Sequence, residues 1–158
     1  LSYTHEGLAY SHRVNCPKVF KPVVVVPKLR LETKLARSVL PQQVTLADAI
    51  FNMSRAALFV NCLQNGHLEL LSHALEDKLH QPYRAALIPH MHEVFAVAVQ
   101  NGAYGAAISG AGSTLIAFCP PNAHHDVIGQ AMRDIFTHNG LEAQYHVFDI
   151  DNQGAVII

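Results

Sequence analysis

The sequence predicts an α+β domain, an antiparallel sheet with helices packed on one face. Three observations lead there. "KPVVVVP" (Lys21 to Pro27) is a β-branched run between prolines and reads as a buried strand. Tyr104 to Ser109 and Ser113 to Cys119 read as two strands joined by Gly-Ala-Gly, and so short a turn requires antiparallel pairing. Between and after them, apolar residues recur at helical spacing.

Element by element, the chain opens on an alternating strand, with Leu8, Tyr10, His12 and Val14 set against Ala9, Ser11 and Arg13. Thr33 to Leu40 carries helix formers, has Thr33 near its start and stops at Pro41. Thr45, with Asp48 three residues on, opens a long helix as a capping box does. Leu46, Ala49, Ile50, Met53, Ala57, Val60 and Leu63 form its inward face, and Asn65-Gly66 ends it. His67 to Leu79 reads as one further helix. The next has Pro89 in its first turn, turns Met91, Val94, Phe95, Ala98 and Val99 inward, and is capped by Gly102. After the strand pair, Ala123 to His138 is a helix with Val127, Ile128, Ala131, Met132, Ile135 and Phe136 inward. Leu141 to Ile150 reads as a strand, and Gly154 to Ile158 adds a last short one.

The length of 158 residues suits one domain spanning 1–158. Half the residues are hydrophobic and 15% are charged, which excludes a disordered, solvating chain. A formal net charge of −1 gives no attraction for nucleic acid or an anionic membrane surface, so neither is expected as a partner. No apolar run is long enough to span a bilayer; the longest is Val94 to Val99. Cys16, Cys62 and Cys119 are odd in number and lack CxxC spacing, which reads as a reduced, cytoplasmic chain. The chain opens without an initiator Met or a signal peptide, as a piece of a longer protein would.

Three segments carry candidate chemistry. "SGAGST" (Ser109 to Thr114) has glycines that permit close backbone approach, and N–H groups that suit an anion. It lacks the lysine and following helix of a phosphate-binding P-loop, so a plain hairpin turn is the competing reading. Thr33 and Arg37 lie at i and i+4, on one helix face, where a hydroxyl and a guanidinium suit a carboxylate or phosphate. The bland alternative is an N-cap and a surface arginine. "DKLHQPYR" gathers Asp77, His80 and Arg84 around a proline. Arg84 suits an anion, Asp77 a local hold and His80 an acid or base, against the alternative of a salt-linked turn. His90-x-His92 and His124-His125 lack partners at metal-like spacing, so no metal site is assigned to this chain.

Taken in order, "PKLRLETKLARSVLP" (Pro27 to Pro41), "DAIFNMSRAALFVNCL" (Asp48 to Leu63), "DKLHQPYRAALIP" (Asp77 to Pro89) and "GAYGAAISGAGSTLIAF" (Gly102 to Phe118) resemble the homoserine kinases of the GHMP small-molecule kinase superfamily. The resemblance implies a ferredoxin-like C-terminal domain. It implies transfer of the ATP γ-phosphoryl group, with Mg²⁺, to the side-chain hydroxyl of L-homoserine in threonine biosynthesis. Thr33, Arg37 and Arg84 would contact the amino-acid substrate, and Gly110, Ala111 and Gly112 would flank it. Asp77, His80 and Ser109 would support them. Ser113 stands where the family pattern has proline.

The superfamily's ATP loop, of the form P-x-x-x-G-L-G-S-S-A, does not occur in the sequence. ATP and Mg²⁺ are therefore expected mainly on an N-terminal half outside this chain, and this chain alone is expected to be inactive. A homodimer is also expected. Two alternatives stand beside this reading: a sister GHMP kinase acting on another small alcohol, and a catalytically silent ferredoxin-like domain that binds an amino acid or dimerises.

Overall fold

A computed structural model describes residues 1–15, 20–151 and 153. Its centre is a four-stranded antiparallel sheet in the order β4-β5-β3-β6, built from β3 (Lys21–Pro27), β4 (Gly105–Ile108), β5 (Leu115–Cys119) and β6 (Ala143–Val147). β3 pairs Val23 with Ala117 on one side and with Val147 on the other. The valine run lies between two neighbours, as a strand apolar on both faces should.

One face of the sheet presents Val23, Val25, Leu115, Ala117 and Cys119, all fully buried. Two helices cover it. α5 (Met91–Gln100) brings Met91, Val94 and Ala98, and α6 (His125–His138) brings Ile128, Met132 and Phe136. Each large side chain buried this way contributes about 1.5–3 kcal/mol, so this layer is the main source of stability. The predicted inward residues Val99 and Val127 instead lie at the surface, rotated past the edge of each buried stripe. Single exposed apolar residues of this kind are ordinary. Pro89 lies just ahead of α5, whose N-cap is His90 in the left-handed region at φ 59°. Gly102, at φ 101°, follows the α5 C-cap Asn101.

α6 carries Gly129 at a close crossing. A Cβ there would lie 2.2 Å from the Tyr145 ring of β6, so glycine is what lets helix and strand meet.

The helices between β3 and β4 bring the polar segments to the sheet. Those that precede α5 are α1 (Thr33–Ser38), α2 (Leu46–Asn65), α3 (Leu71–Ala74) and α4 (Gln81–Arg84). α2 begins as the sequence predicts: the Asp48 N–H donates to Thr45 Oγ1, and Gly66 ends it in the left-handed region. Its predicted inward face holds only toward the C-terminus, where the partly buried Leu63 packs against a core cluster. Leu46, Ile50 and Met53 are exposed, and Cys62 alone on α2 is buried. The C-terminal half of α2 instead sets Phe59 against Phe118, on the opposite face of the sheet, beside Phe20, Leu68 and Leu71.

The predicted single helix from His67 to Leu79 is broken. A 3₁₀ turn at Leu68–Leu70 leads into one turn of α3, and the chain leaves the helix before Asp77. The Asp77 carboxylate then takes the N–H groups of Leu79, His80 and Gln81, offering the backbone a capped turn in place of a continued helix. The predicted strands at Leu8 to Val14 and Leu141 to Ile150 form over shorter spans, as β2 and β6. The expected strand at 154–158 and Cys16 lie outside the described residues.

Before the sheet, β1 (Ser2–His5) and β2 (Leu8–Ser11) form a separate two-stranded hairpin, with Tyr3 stacked on Tyr10. Every residue of 1–13 is exposed.

Gly129→Ala tests the α6–β6 crossing. A mid-helix glycine replaced by alanine normally gains up to about 1 kcal/mol. Here the methyl must displace a packed ring, at a cost of about 1–3 kcal/mol, so denaturant unfolding should show a net loss of stability.

Candidate functional site

Arg84, at the end of α4, is 8% exposed, and its guanidinium joins two segments distant in sequence. Its Nε donates to the Ala36 carbonyl of α1 at 3.0 Å, and its Nη1 donates to the Gly110 carbonyl of the glycine turn at 3.2 Å. Nη1 also approaches His80 Nδ1 at 3.4 Å. No carboxylate of the described residues lies within ion-pair distance of Arg84. A buried cation held only by carbonyls and an imidazole, through Nε and Nη1, has its charge uncompensated and its Nη2 without an acceptor among the described residues.

Asp77 orders the turn that presents Arg84. Its side chain is 6% exposed. It accepts the N–H of Leu79 at 3.1 Å and of His80 at 2.8 Å, that of Gln81, and an N–H of Asn52 from α2. Burial pushes this carboxyl up, yet the Gln81, Asn52, His80 and Leu79 donors together outweigh burial and hold it below the usual carboxylate range. His80 lies between Asp77, at 3.8 Å, and Arg84. Burial lowers its affinity for a proton; Asp77 opposes and Arg84 adds to that lowering, and the net shift is down. A neutral ring that accepts at Nδ1 from Arg84 fits both observations. The "DKLHQPYR" segment is thus both hydrogen-bonded and salt-linked, with Lys78 Nζ 3.4 Å from Asp48 Oδ1.

Sequence reasoning missed three contributors. Asn52 donates to Asp77 and accepts the Lys78 N–H at 2.9 Å, tying α2 to the turn. Gln81, 8% exposed, donates to the Leu75 carbonyl and accepts the Ile108 N–H at 2.9 Å, which fastens α4 to the end of β4. Ser113, also buried, donates to the Leu29 carbonyl at 2.7 Å, linking the glycine turn to the segment before α1. Gln81 carried a signal in the sequence as a polar residue inside a dense polar segment, and Ser113 one as a departure from the family pattern, without a role; Asn52 carried none.

The glycine turn is a hairpin, as one reading of it had it: the Ser109 N–H donates to the Thr114 carbonyl, and the Gly112 N–H turns back to Ser109. The N–H groups of Gly110 and Ala111 have no acceptor among the described residues. Gly112 sits at φ 90°, and a Cβ there would lie 2.8 Å from Ile88 Cδ1 and 3.2 Å from Leu31 Cδ2. Side-chain room is absent, and the turn offers main chain.

Thr33 and Arg37 both lie exposed on α1. The N-cap alternative for Thr33 fails: the cap position is Glu32, and no side chain caps the helix. Arg37 has no ion-pair partner among the described residues. The structure therefore brings α1, α4 and the glycine turn together through Arg84, leaving Arg37 uncommitted one residue from a contact that Arg84 makes. A cavity of about 230 Å³ beside them is lined by Asn52, Asp77, His80 and Gln81 among others. A larger hollow of about 440 Å³ lies by Val26, Lys28 and Glu142 and includes none of these groups. No three His, Cys, Asp or Glu side chains gather into a metal-holding group among the described residues.

The buried guanidinium and the glycine turn stand on a four-stranded antiparallel sheet with helices, an α+β domain, and comparison with known proteins places it. The family model "GHMP kinases C terminal" matches residues 58–138, and the chain belongs to that family. A homoserine kinase of Persephonella marina is 42% identical over 92% of this chain and 48% of its own length. One of Desulfitobacterium hafniense is 37% identical over 100% of this chain and 53% of its own. The crystal structure of homoserine kinase from Cytophaga hutchinsonii superposes with a TM-score of 0.88 at 27% identity, over 92% of this chain and 46% of that one. The chain thus spans about half the length of the relatives it matches.

His80 predicts a pH effect. Its proton affinity in the folded state is below its ordinary value of 6.5, so the unfolded state takes up the proton first as pH falls. Stability should decline from just above pH 6.5 down to the lower folded value. The difference in unfolding free energy between the parent chain and His80→Gln, measured at pH 7.5 and 5.5, should shrink at the lower pH. A constant difference would exclude this role for His80.

Proposed function

We propose that this chain is the substrate-contacting C-terminal half of a homoserine kinase. The full protein would transfer the ATP γ-phosphoryl group to the side-chain hydroxyl of L-homoserine, giving O-phospho-L-homoserine for threonine biosynthesis in the cytoplasm. One observation carries the reading: the uncompensated charge of Arg84, next to an α1 that presents Arg37 without a partner. Two such guanidiniums suit a small substrate that carries a carboxylate.

The two arginines divide the work. Nε and one Nη of Arg84 are engaged with Ala36 and Gly110, so Arg84 offers a carboxylate Nη2 and its charge rather than a full fork. Arg37 keeps all five donors for the bidentate grip. Thr33, four residues before Arg37, adds a hydroxyl on the same helix face. The free N–H groups of Gly110 and Ala111 suit the anionic end of the reaction, where charge develops on transfer. Asp77, His80 and Ser109 hold the frame.

The residues of this chain do not themselves build a nucleotide cradle: its glycine turn has no lysine and opens no helix. ATP and Mg²⁺ are assigned to the other half of the protein, with which this half and a second copy would assemble. Bound there, they would supply the phosphoryl group and neutralise its charge.

In the full-length protein, Arg37→Ala should raise the homoserine KM by roughly 10–100-fold, the loss of a charged hydrogen-bonded contact, and leave the ATP KM near its original value. Equal effects on both would count against the assignment. This 158-residue chain alone should release no ADP above background in a coupled assay with homoserine and ATP. Robust turnover would refute the division of labour.

A further inference from the structure

The β1–β2 hairpin has the pattern of a half-buried sheet, and among the described residues nothing covers its apolar face. Its register sets Tyr3 opposite Tyr10 and His5 opposite Leu8, and backbone bonds pair Leu1 with His12. Directly opposed residues share a face, as do residues two apart along a strand. One face therefore carries Leu1, Tyr3, Leu8 and Tyr10 with the two histidines. The other carries Ser2, Thr4, Ala9 and Ser11. Sorting this complete marks a strand pair with one side meant for a core. Yet Leu1 is 63% exposed, Tyr3 47%, Leu8 62% and Tyr10 41%.

An isolated two-stranded hairpin is marginal in water, and a clustered apolar face of this kind marks an interaction. The sheet of β3 to β6 does not take it in, because the hairpin pairs only with itself. The occupant follows from length. The matched relatives are about twice as long as this chain, so a domain-sized stretch of polypeptide lies outside it. A covalently joined domain meets the hairpin at high effective concentration. A second copy would offer four apolar side chains, far short of the roughly 20–30 residues a side of a standard interface.

We infer that the hairpin belongs structurally to the other half of the full-length protein, with its Leu1, Tyr3, Leu8 and Tyr10 face buried in that half's core. The domain described here then starts at β3. The inference goes beyond the kinase reading and does not depend on the substrate.

Amide hydrogen exchange on the full-length protein and on this chain tests it. Amides of residues 2–11 should exchange roughly 100-fold more slowly in the full-length protein, while those of β3 and β5 are protected in both. Equal hairpin rates in the two proteins would overturn the inference. So would hairpin protection in this chain that rises with its concentration alongside a dimer mass, which would make the occupant a second copy. As an independent check, the double variant Tyr3→Asp, Tyr10→Asp should lower the Tm of the full-length protein and leave that of this chain unchanged. An equal loss in both would place the hairpin on this domain's own body. None of these readouts uses kinase activity, so failure of the homoserine reading and failure of this inference are distinguishable.

Discussion

The site depends on the guanidinium of Arg84. Three segments that diverge in sequence, α1, the turn after α3 and the glycine turn between β4 and β5, are held in one wall because one buried side chain reaches all of them. Arginine suits this task and lysine does not. Its donors are fixed in a plane, so the spacing of the two carbonyls is fixed with them, and it stays charged when buried. The same charge has no carboxylate partner among the described residues. The joining of the three segments therefore rests on one group, supported by Asp77 and Gln81 from behind.

How much of this was legible in the sequence follows from the range of each signal. β3 and the glycine hairpin were local: a valine run between prolines, and a Gly-Ala-Gly turn too short for any other connection. The start of α2 was local too, since Thr45 and Asp48 meet within one turn. The break after α3 was not. Its cause is a carboxylate bonding backbone two to four residues ahead, with Asn52 arriving from another helix, and helical spacing of apolar residues carries no record of that contest. The exposed face of α2 shows a different limit. Periodicity reports that Leu46, Ile50 and Met53 share a side, not what lies against that side.

The candidate site was legible as residue types and not as roles. Arg37 and Arg84 read alike in the sequence, as two cations near polar neighbours. Burial and hydrogen bonding separate them into one committed and one free guanidinium. Ser113 shows the reverse. In the sequence it is a departure from a pattern; in the structure its hydroxyl ties the glycine turn to Leu29, doing by hydrogen bond what a stiffer residue would do by covalent restriction.

Gly112 bears on how such a site can evolve. Positive φ and the neighbours Ile88 and Leu31 together disfavour any larger residue there, so at this point the turn presents only peptide groups, which are the same in every protein. The outer positions of α1, Thr33 and Arg37 among them, are open to solvent and meet no such packing limit. The turn is held to one backbone shape, while the short helix joined to it through Arg84 is where side chains are free to vary.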